Sequence, residues 1–429
     1  MREVKRTVPL YSFYDRTGIQ NYLEAQAEKG WMLEKAGTIC WKFRRCEPRK
    51  LKFSVVYFPE ADLYDPKPGE GEETFRDLCE HSGWKFAGSQ AQMQIFYSES
   101  ANPVPIDTDP IIEVQNIHKS MKKSGLLGYW LLMFSAVLQI VSQSLGFATD
   151  PLRYLSWNIN LFMILFWPSM FLMCAWRIIS YYRWYRQAKR AAEDGEFLAT
   201  QGSQKAEAVW AGISVSLLVA CAVMGRSKIS AAIVVCGLVV GLGIIAVEVI
   251  AREFFKKKGY DAAQNKVRTI VVTLVALVAL MAVGTSLGFA IADHTGGNEK
   301  HAIELSDLMD VEYETLELED NESILLGRQR IMHYTERRNG EPWYELQYQV
   351  VHVKAGFLLD FCREEILRDN HYELAGWDAA PWNADEAFAF IRDDEVKGYM
   401  LYYGDYIVTL WPNWEMTEDQ RAAIGDIFN

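Results

Sequence analysis

Histidine is sparse in this 429-residue chain, and its seven copies are scattered rather than paired at ligand spacing. His294 and His301 come nearest to a pair, lying among Asp293, Glu299 and Glu304. An exposed juxtamembrane stalk explains them at least as well as a loose metal site. There is no HExxH, no GxSxG elbow, no Walker loop and no GxGxxG placed after a strand. Acid-rich runs such as Glu317-Leu318-Glu319-Asp320 lack the Asp/Asn/Gly spacing of a calcium loop. These absences leave no catalytic residue, cofactor or metal to assign, and the chain is not expected to be an enzyme.

Cysteine is also too thinly spread to build with. Cys40, Cys46 and Cys79 fall in the first domain, Cys174, Cys221 and Cys236 in apolar stretches, and Cys362 alone near the end. A lone cysteine excludes a bridge within that last domain, and no spacing matches zinc. Residues 1–20 hold no apolar core of the length a cleaved signal needs, so the first span is expected to act as the insertion signal.

What the chain does have is long hydrophobic runs. Five stretches read as membrane-spanning helices: Leu126–Phe147, Leu155–Trp176, Ala208–Met224, Ile229–Ile250 and Ile270–Ile291. Each approaches the roughly 20 residues that cross a bilayer core. Ionisable groups are scarce inside them, which argues against ion transport. Glu248 is the one acid within a span; it lies near Arg252 at a helix end, where an interfacial ion pair is expected. Gly237 with Gly241, and Gly284 with Gly288, form GxxxG spacings that let helices approach closely, within one chain or between copies. Trp167-Pro168 should kink the second span.

Twelve of the fifteen Lys and Arg residues in this block lie in two connections, Arg177–Lys205 and Arg252–Arg268. Lys119, Lys122 and Lys123 precede the first span. By the positive-inside rule this bias places the N-terminus in the cytoplasm and the C-terminus outside a plasma membrane. A short third span that stopped before crossing would change the parity.

Charge then separates the flanks. Residues 1–124 carry 18 basic and 18 acidic side chains, whereas residues 293–429 carry 11 basic and 30 acidic. The acidic C-terminal segment would repel nucleic acid and anionic headgroups and favour cations or basic partners, although solubility alone also explains it. Nucleic acid is not an expected partner.

The first hundred residues read as a cytosolic α+β domain. Gly18–Lys29 is an amphipathic helix with Thr17 as its cap, closed by Gly30. Strands follow at Cys40–Cys46 and Leu51–Phe58, then a helix at Glu72–His81 and strands at Trp84–Phe86 and Gln92–Tyr97. Gly30, Trp31 and Phe43 recur 53 residues later as Gly83, Trp84 and Phe96, which suggests a duplicated helix-and-hairpin unit. Trp31 and Trp84 are candidate structural pins, docking back on the helix each follows.

Several of these segments, taken in order, resemble a known family. Tyr11-Ser12-Phe13-Tyr14-Asp15, Glu28-Lys29-Gly30-Trp31-Met32-Leu33, Trp41-Lys42-Phe43-Arg44-Arg45 and Met93-Gln94-Ile95-Phe96-Tyr97 look like the bacterial domain-of-unknown-function 2812 family. Asn102-Pro103-Val104-Pro105 and His118-Lys119-Ser120-Met121-Lys122-Lys123 fit it too, so the resemblance covers about residues 8–123. It implies a domain coupled to membrane helices, often encoded beside PadR-type transcriptional regulators. It implies no activity and no catalytic residue.

Residues 101–124 read as a Pro-rich linker and a juxtamembrane helix over Ile111–Lys123, either a mechanical link or a passive tether. Arg177–Arg190, with Tyr181, Tyr182, Trp184 and Tyr185, reads as an interfacial aromatic belt. The C-terminal domain, 293–429, also reads α+β and extracytoplasmic. Strands are expected at Val311–Leu318, Ser323–Tyr334 and Tyr344–Val353, the last two turning at Asn339-Gly340. Helices are expected at Phe357–Arg368 and Ala384–Arg392, and a hairpin at Gly398–Leu410 turning on Gly404-Asp405. Thr417–Phe428 closes it as a helix capped by Thr417. Trp377, Trp382, Trp411 and Trp414 serve core packing or line a pocket.

The expected architecture is thus a multi-pass α-helical membrane protein with an N-terminal α+β cytosolic domain and a C-terminal α+β extracytoplasmic domain. A non-enzymatic sensor or regulator, relaying an envelope signal to a protein partner of the cytosolic domain, fits this plan. A membrane assembly or transport-associated subunit is the alternative.

Overall fold

A computed structural model describes residues 3–9, 11–38, 40–200, 204–224, 228–295, 301–336, 343–369 and 372–429. The chain forms two compact units: residues 1–139 with 166–215 and 239–283, and residues 140–165 with 216–238 and 284–429.

The first unit opens with two βαββ modules. β1 (Val4–Thr7), α1 (Arg16–Glu28), β2 (Trp31–Ala36) and β3 (Trp41–Arg45) make one; β4 (Lys52–Tyr57), α2 (Glu70–His81), β5 (Lys85–Gln90) and β6 (Met93–Ser98) make the other. Each module is a three-stranded antiparallel sheet with its last strand in the middle, ordered β1-β3-β2 and β4-β6-β5. The duplication extends beyond the residues that suggested it. β2 bulges between Leu33 and Lys35, and β5 between Phe86 and Gly88, again 53 residues on. Gly30 (φ +75°) and Gly83 (φ +86°) end the two helices in the left-handed conformation that glycine adopts without strain. Phe43 and Phe96, both fully buried, occupy the same place in the two middle strands. β2 and β5 run side by side: a Cβ on Gly88 would lie 3.6 Å from the Ala36 nitrogen.

Two details differ from the sequence reading. The cap of α1 is Asp15, whose carboxylate accepts the Gly18 N–H at 3.1 Å. The Thr17 hydroxyl oxygen instead accepts the Thr200 N–H. The strands β1 and β2 were also absent from that reading; short strands with few apolar residues, such as Val4-Lys5-Arg6-Thr7, carry almost no period-two signal of their own.

α3 (Pro110–Ser120) follows, capped by Asp109 with Pro110 in its first turn. A π-helical turn (Met121–Gly125) joins it to α4 (Leu126–Thr149). α5 (Pro151–Leu155), α6 (Asn158–Glu193), α7 (Gln204–Met224), α8 (Lys228–Lys257) and α9 (Ala262–Thr295) complete the helical part. Among the described residues, three helices are long and apolar enough to cross a membrane: Pro110–Thr149, Asn158–Glu193 and Ala262–Val283. Leu127, Trp130, Leu131 and Phe134 on α4 are exposed, as are Leu172 and Trp176 on α6 and Val275 and Val278 on α9. Such apolar surface is stable only against another apolar phase. The apolar part of α7, Ala208–Ala220, is shorter. The turn at Gly225–Ser227, on which the third and fourth spans depend, lies outside the described residues.

The second unit is built on a seven-stranded antiparallel sheet. Its strands are β7 (Glu314–Glu322), β8 (Leu326–Tyr334), β9 (Glu345–Val353), β10 (Glu373–Trp377), β11 (Glu386–Arg392), β12 (Glu395–Tyr403) and β13 (Tyr406–Pro412). They are ordered β10-β11-β12-β13-β9-β8-β7. The expected β12–β13 hairpin is present, turning at Gly404 (φ +57°). The Asn339-Gly340 turn lies outside the described residues. One expected helix is instead a strand: residues 386–392 pair with β10 on one side and β12 on the other. Alanines 387 and 389 raise the helix propensity locally, but they alternate with Phe388 and Phe390, and two ladders of backbone hydrogen bonds outweigh a propensity difference of a few tenths of a kcal/mol.

Strand alternation gives this sheet two different faces. On one, Ile331, Leu346, Tyr348, Leu401, Val408 and Leu410 pack with Ile303, Trp382 and Ile424 of α11 (Glu418–Phe428). On the other, Val351, Val353, Met400, Tyr402 and Ile407 pack with Cys362 and Ile366 of α10 (Leu359–Asp369) and with Leu152 and Leu155 of α5. α11 begins with the expected Thr417 cap, completed by Gln420 as a capping box.

Candidate functional site

The sequence singled out six residues. Trp84 is 4% exposed, among Val56, Cys79 and Phe96, with its indole N–H donating to the Val104 carbonyl at 2.8 Å. Trp31 is only half-buried and holds Lys5 and Arg45 over its ring at 5.7 and 5.0 Å. Gly237 and Gly241 lie within α8, and among the described residues nothing stands within 4 Å of a Cβ placed on either. The close approach on that helix is at Gly243, where a Cβ would meet Leu280 of α9 at 3.1 Å. Gly284 and Gly288 belong to α9, but their surroundings lie outside the described residues.

The first unit gathers polar groups at the start of α1. Asp15 is 1% exposed and accepts from Gly18 and from the Thr200 hydroxyl, and burial raises its pKa. Arg16 pairs with Glu113 of α3 at 2.7 Å, and burial pushes the Glu113 carboxyl up to about 7. Tyr14 packs edge-on against Tyr181 and tilted against Trp184, both on α6. His118 of α3 stacks on Tyr185 at 4.0 Å and hydrogen-bonds the Tyr181 hydroxyl at 2.7 Å. The aromatic run of α6 is therefore no interfacial belt. Tyr181 is 1% and Trp184 8% exposed because the N-terminal domain and α3 cover them. An amphipathic aromatic at a span end prefers a protein core to headgroups when the core offers both apolar walls and a hydrogen-bond partner. α8 adds a further tie, with Arg252 bridging Glu248 at 2.8 Å and the Thr38 hydroxyl at 3.1 Å.

The second unit contains a cavity of about 1000 Å³, and it is here that chemistry concentrates. Its floor is the polar half of the sheet face that α10 covers. Arg328 and Arg330 alternate onto that face from β8, as do Gln347 and Gln349 from β9 and Trp411 from β13. Lys397 reaches the same side because β12 bulges there: Phe390 pairs with Gly398, and Ile391 with Val396, leaving Lys397 as the extra residue. A bulge re-aims a side chain in this way and is frequent beside functional sites. Gly398 lets Trp411 lie close; a Cβ there would come within 2.7 Å of the indole and 2.5 Å of the Leu410 carbonyl. Trp411 in turn stacks on Phe390, nearly parallel, at 5.8 Å.

The roof is Ala148–Leu152, with Glu365, Ile366 and Arg368 from α10 at the side. Arg328, with 2% of its side chain exposed, donates from Nη1 to both Asp150 oxygens at 2.7 Å and from Nη2 to Gln349 at 3.2 Å. Glu319 stands 3.5 Å away. Asp150 also caps α5 through the Arg153 N–H at 3.0 Å. Ser323 and Ile324 add two more bonds from the β7–β8 turn, to the Leu155 carbonyl and the Asn158 side chain. The segment joining α4 to α6 is thus fastened to the sheet by an ion pair whose arginine is buried and by two hydrogen bonds.

Four of the eleven basic residues after Asp293 line this one cavity, in a domain with thirty acids. Sequence reasoning saw only the regional surplus of acid. The signal was present in Arg328-Gln329-Arg330 and Gln347-Tyr348-Gln349, which each put two like polar side chains on one strand face. Lys397, Asp150 and Arg368 carried no comparable signal, since a bulge, a turn and a helix end bring them in. Among the described residues no group of His, Cys, Asp and Glu is arranged to hold a metal ion.

Residues 15–129 match the family described as Protein of unknown function (DUF2812), from the Asp15 cap to Tyr129 in α4. The chain therefore carries a DUF2812 domain made of most of the duplicated modules, α3 and the start of α4. Comparison with curated proteins and with solved structures gave no match.

Proposed function

We propose that this chain is a non-enzymatic, multi-pass plasma-membrane sensor or regulator. In this reading the five apolar helices cross the bilayer with the DUF2812 domain in the cytoplasm and the sheet domain outside. The sheet domain takes up a solute, and the cytosolic domain acts on a protein partner. The observation that carries the reading is the construction of the cavity. Its roof, Ala148–Leu152, is the connection between two long apolar helices, held to the sheet by Arg328 and Asp150. A solute entering there acts on a segment covalently continuous with α4. In the other unit α3, also continuous with α4 through the π-turn, packs against the N-terminal modules through Val114, Ile117 and Met121. The positive charge of Arg177–Lys205 and Arg252–Arg268 supports the orientation.

A second reading, an assembly subunit that associates through helix faces, is favoured by Gly237 and Gly241, where among the described residues nothing stands within 4 Å of an added Cβ. Reporter fusions after Ser203 and after Asn429 test the topology, the first expected in the cytoplasm and the second outside. A C-terminal fusion active only in the cytoplasm refutes the arrangement. Proteins captured by the full chain and by a chain lacking residues 299–429 then separate the readings. A sensor changes its partner occupancy on losing that domain, whereas an assembly subunit keeps it.

A further inference from the structure

The cavity of the sheet domain has a charge pattern that selects its ligand. Of its six charged lining side chains, Arg328, Arg330, Arg368 and Lys397 are positive and Asp150 and Glu365 negative. Both carboxylates are already committed, Asp150 to Arg328 and Glu365 to Arg368. Among the described residues no carboxylate pairs with Arg330, and the partner of Lys397, Glu395, is a largely exposed neighbour on the same hairpin. A cation entering this space would find no free acid. An apolar molecule would have to strip water from Gln347 and from the Arg330 and Arg368 guanidinium groups without replacing their hydrogen bonds, at a cost of about 1–3 kcal/mol each.

We infer that the cavity binds a compact oxyanion, a carboxylate or phosphate group, that takes the place of Asp150 on Arg328 while Arg330 and Lys397 hold its remaining oxygens. The guanidinium groups supply paired donors that match the geometry of either anion. Arg328 is buried beneath the roof and not spread on the surface, so an anion that reaches it is desolvated on one side and held more strongly than by a surface arginine. The Trp411 indole, steadied by Gly398 and Phe390, gives an apolar wall for the body of the ligand. Because Asp150 belongs to the roof, the exchange frees the α4–α6 connection from one of its bonds to the sheet. The consequence for signalling rests on the sensor reading above; binding itself does not.

The shared chemistry has two sources, a soluble anion or a lipid headgroup phosphate, and the experiment separates them. The full-length protein is held in micelles of a maltoside detergent, which carries no phosphate, and titrated calorimetrically with inorganic phosphate and with citrate. Saturable binding is expected, weakened at least about tenfold by Arg330→Gln, the value of one charge-assisted hydrogen bond. Asp150→Asn removes the nearer of two internal competitors, Glu319 staying 3.5 Å from Arg328, and should tighten binding several-fold, whereas a general loss of structure would weaken it. Arg392→Gln, a basic residue away from the cavity, should change nothing, and a thermal melt of each variant verifies folding. In nanodiscs containing phosphatidylglycerol, loss of the soluble titration by the wild type identifies the lipid phosphate as occupant, and its persistence identifies a soluble anion. The inference is overturned if no binding occurs in the phosphate-free micelles, if Arg330→Gln binds as the wild type, or if folded Asp150→Asn binds more weakly. Those outcomes concern the cavity alone and are distinct from partner occupancy, on which the sensor reading stands or falls.

Discussion

Arg328 and Asp150 are 178 residues apart in the chain, yet one guanidinium nitrogen meets both oxygens of the carboxylate at 2.7 Å. Any bilayer crossed by α4 and α6 must leave their connection on the same side as the sheet, because this pair and the bonds of Ser323 and Ile324 hold the two together. A buried ion pair gives little net stability when whole, but breaking it strands a charge.

Asp150→Ala should therefore destabilise the sheet unit by about 3 kcal/mol, the cost of leaving Arg328 with Gln349 and the more distant Glu319. The combined change with Arg328→Met should recover part of that loss. Thermal unfolding of the full chain in detergent is the measurement, and a single variant that melts with the wild type would show the pair to be ornamental.

Gly398→Ala should cost at least about 1–3 kcal/mol, since the new methyl overlaps both the Leu410 carbonyl and the Trp411 ring. Trp411 fluorescence alone is masked by the thirteen other tryptophans. The informative comparison is Gly398→Ala in a Trp411→Phe background, where the smaller ring should relieve part of the penalty.

Trp84 and Trp31 occupy equivalent places in the two modules but should respond differently. Trp84→Ala removes a buried ring and its hydrogen bond to Val104, an expected loss of about 3–5 kcal/mol. Trp31→Ala removes a half-buried ring that carries two cations over its face, and about 1–2 kcal/mol is expected. Equal losses in chemical denaturation would mean that the modules share their load evenly.

Glu113 predicts a pH dependence for the first unit. Burial pushes its pKa up from 4.5 to about 7, against the pull of Arg16, while Asp107 adds to the rise. Between those values the folded protein keeps a proton that the unfolded chain releases, so stability falls as pH rises through this window. Asp15 and Asp107 are raised by burial as well and act with the same sign. Glu113→Gln should flatten that slope by an amount on the order of 2 kcal/mol, matching the wild type near pH 5 and exceeding it near pH 8. Melting temperatures across pH 5–8 provide the check, and an unchanged slope in the variant would remove Glu113 from the account.

The modular plan of the N-terminal domain was legible because a helix followed by Gly and Trp repeats at a fixed interval, and a helix exit has strict chemistry. The closing helix was legible for the same reason, through the Thr417 cap. Residues 386–392 were misread because two alanines spoke for a helix while the pairing that overrules them comes from strands on either side. The burial of Tyr181 and Trp184 was invisible for a related reason. A sequence shows that aromatic residues follow a span but not that Tyr14 and His118 arrive to cover them. The basic cavity is the extreme case, being assembled from a turn, a bulge, two strands and a helix end that only the folded sheet brings together.

The turn at Met121–Gly125 winds the backbone one residue wider than an α-helix, and the Met121 sulfur fills the space where a Cβ on residue 125 would lie, 2.7 Å from it. Before it, Val114, Ile117 and Met121 pack into the core of the first unit; after it, the exposed apolar surface of α4 begins. Tightening that single turn to α geometry would advance everything beyond it by about one residue, roughly 100° of rotation and 1.5 Å of travel, with no hydrogen bond permanently lost. A residue's worth of rotation between α3 and α4 is thus set by one turn, at the point where the α3 packing ends.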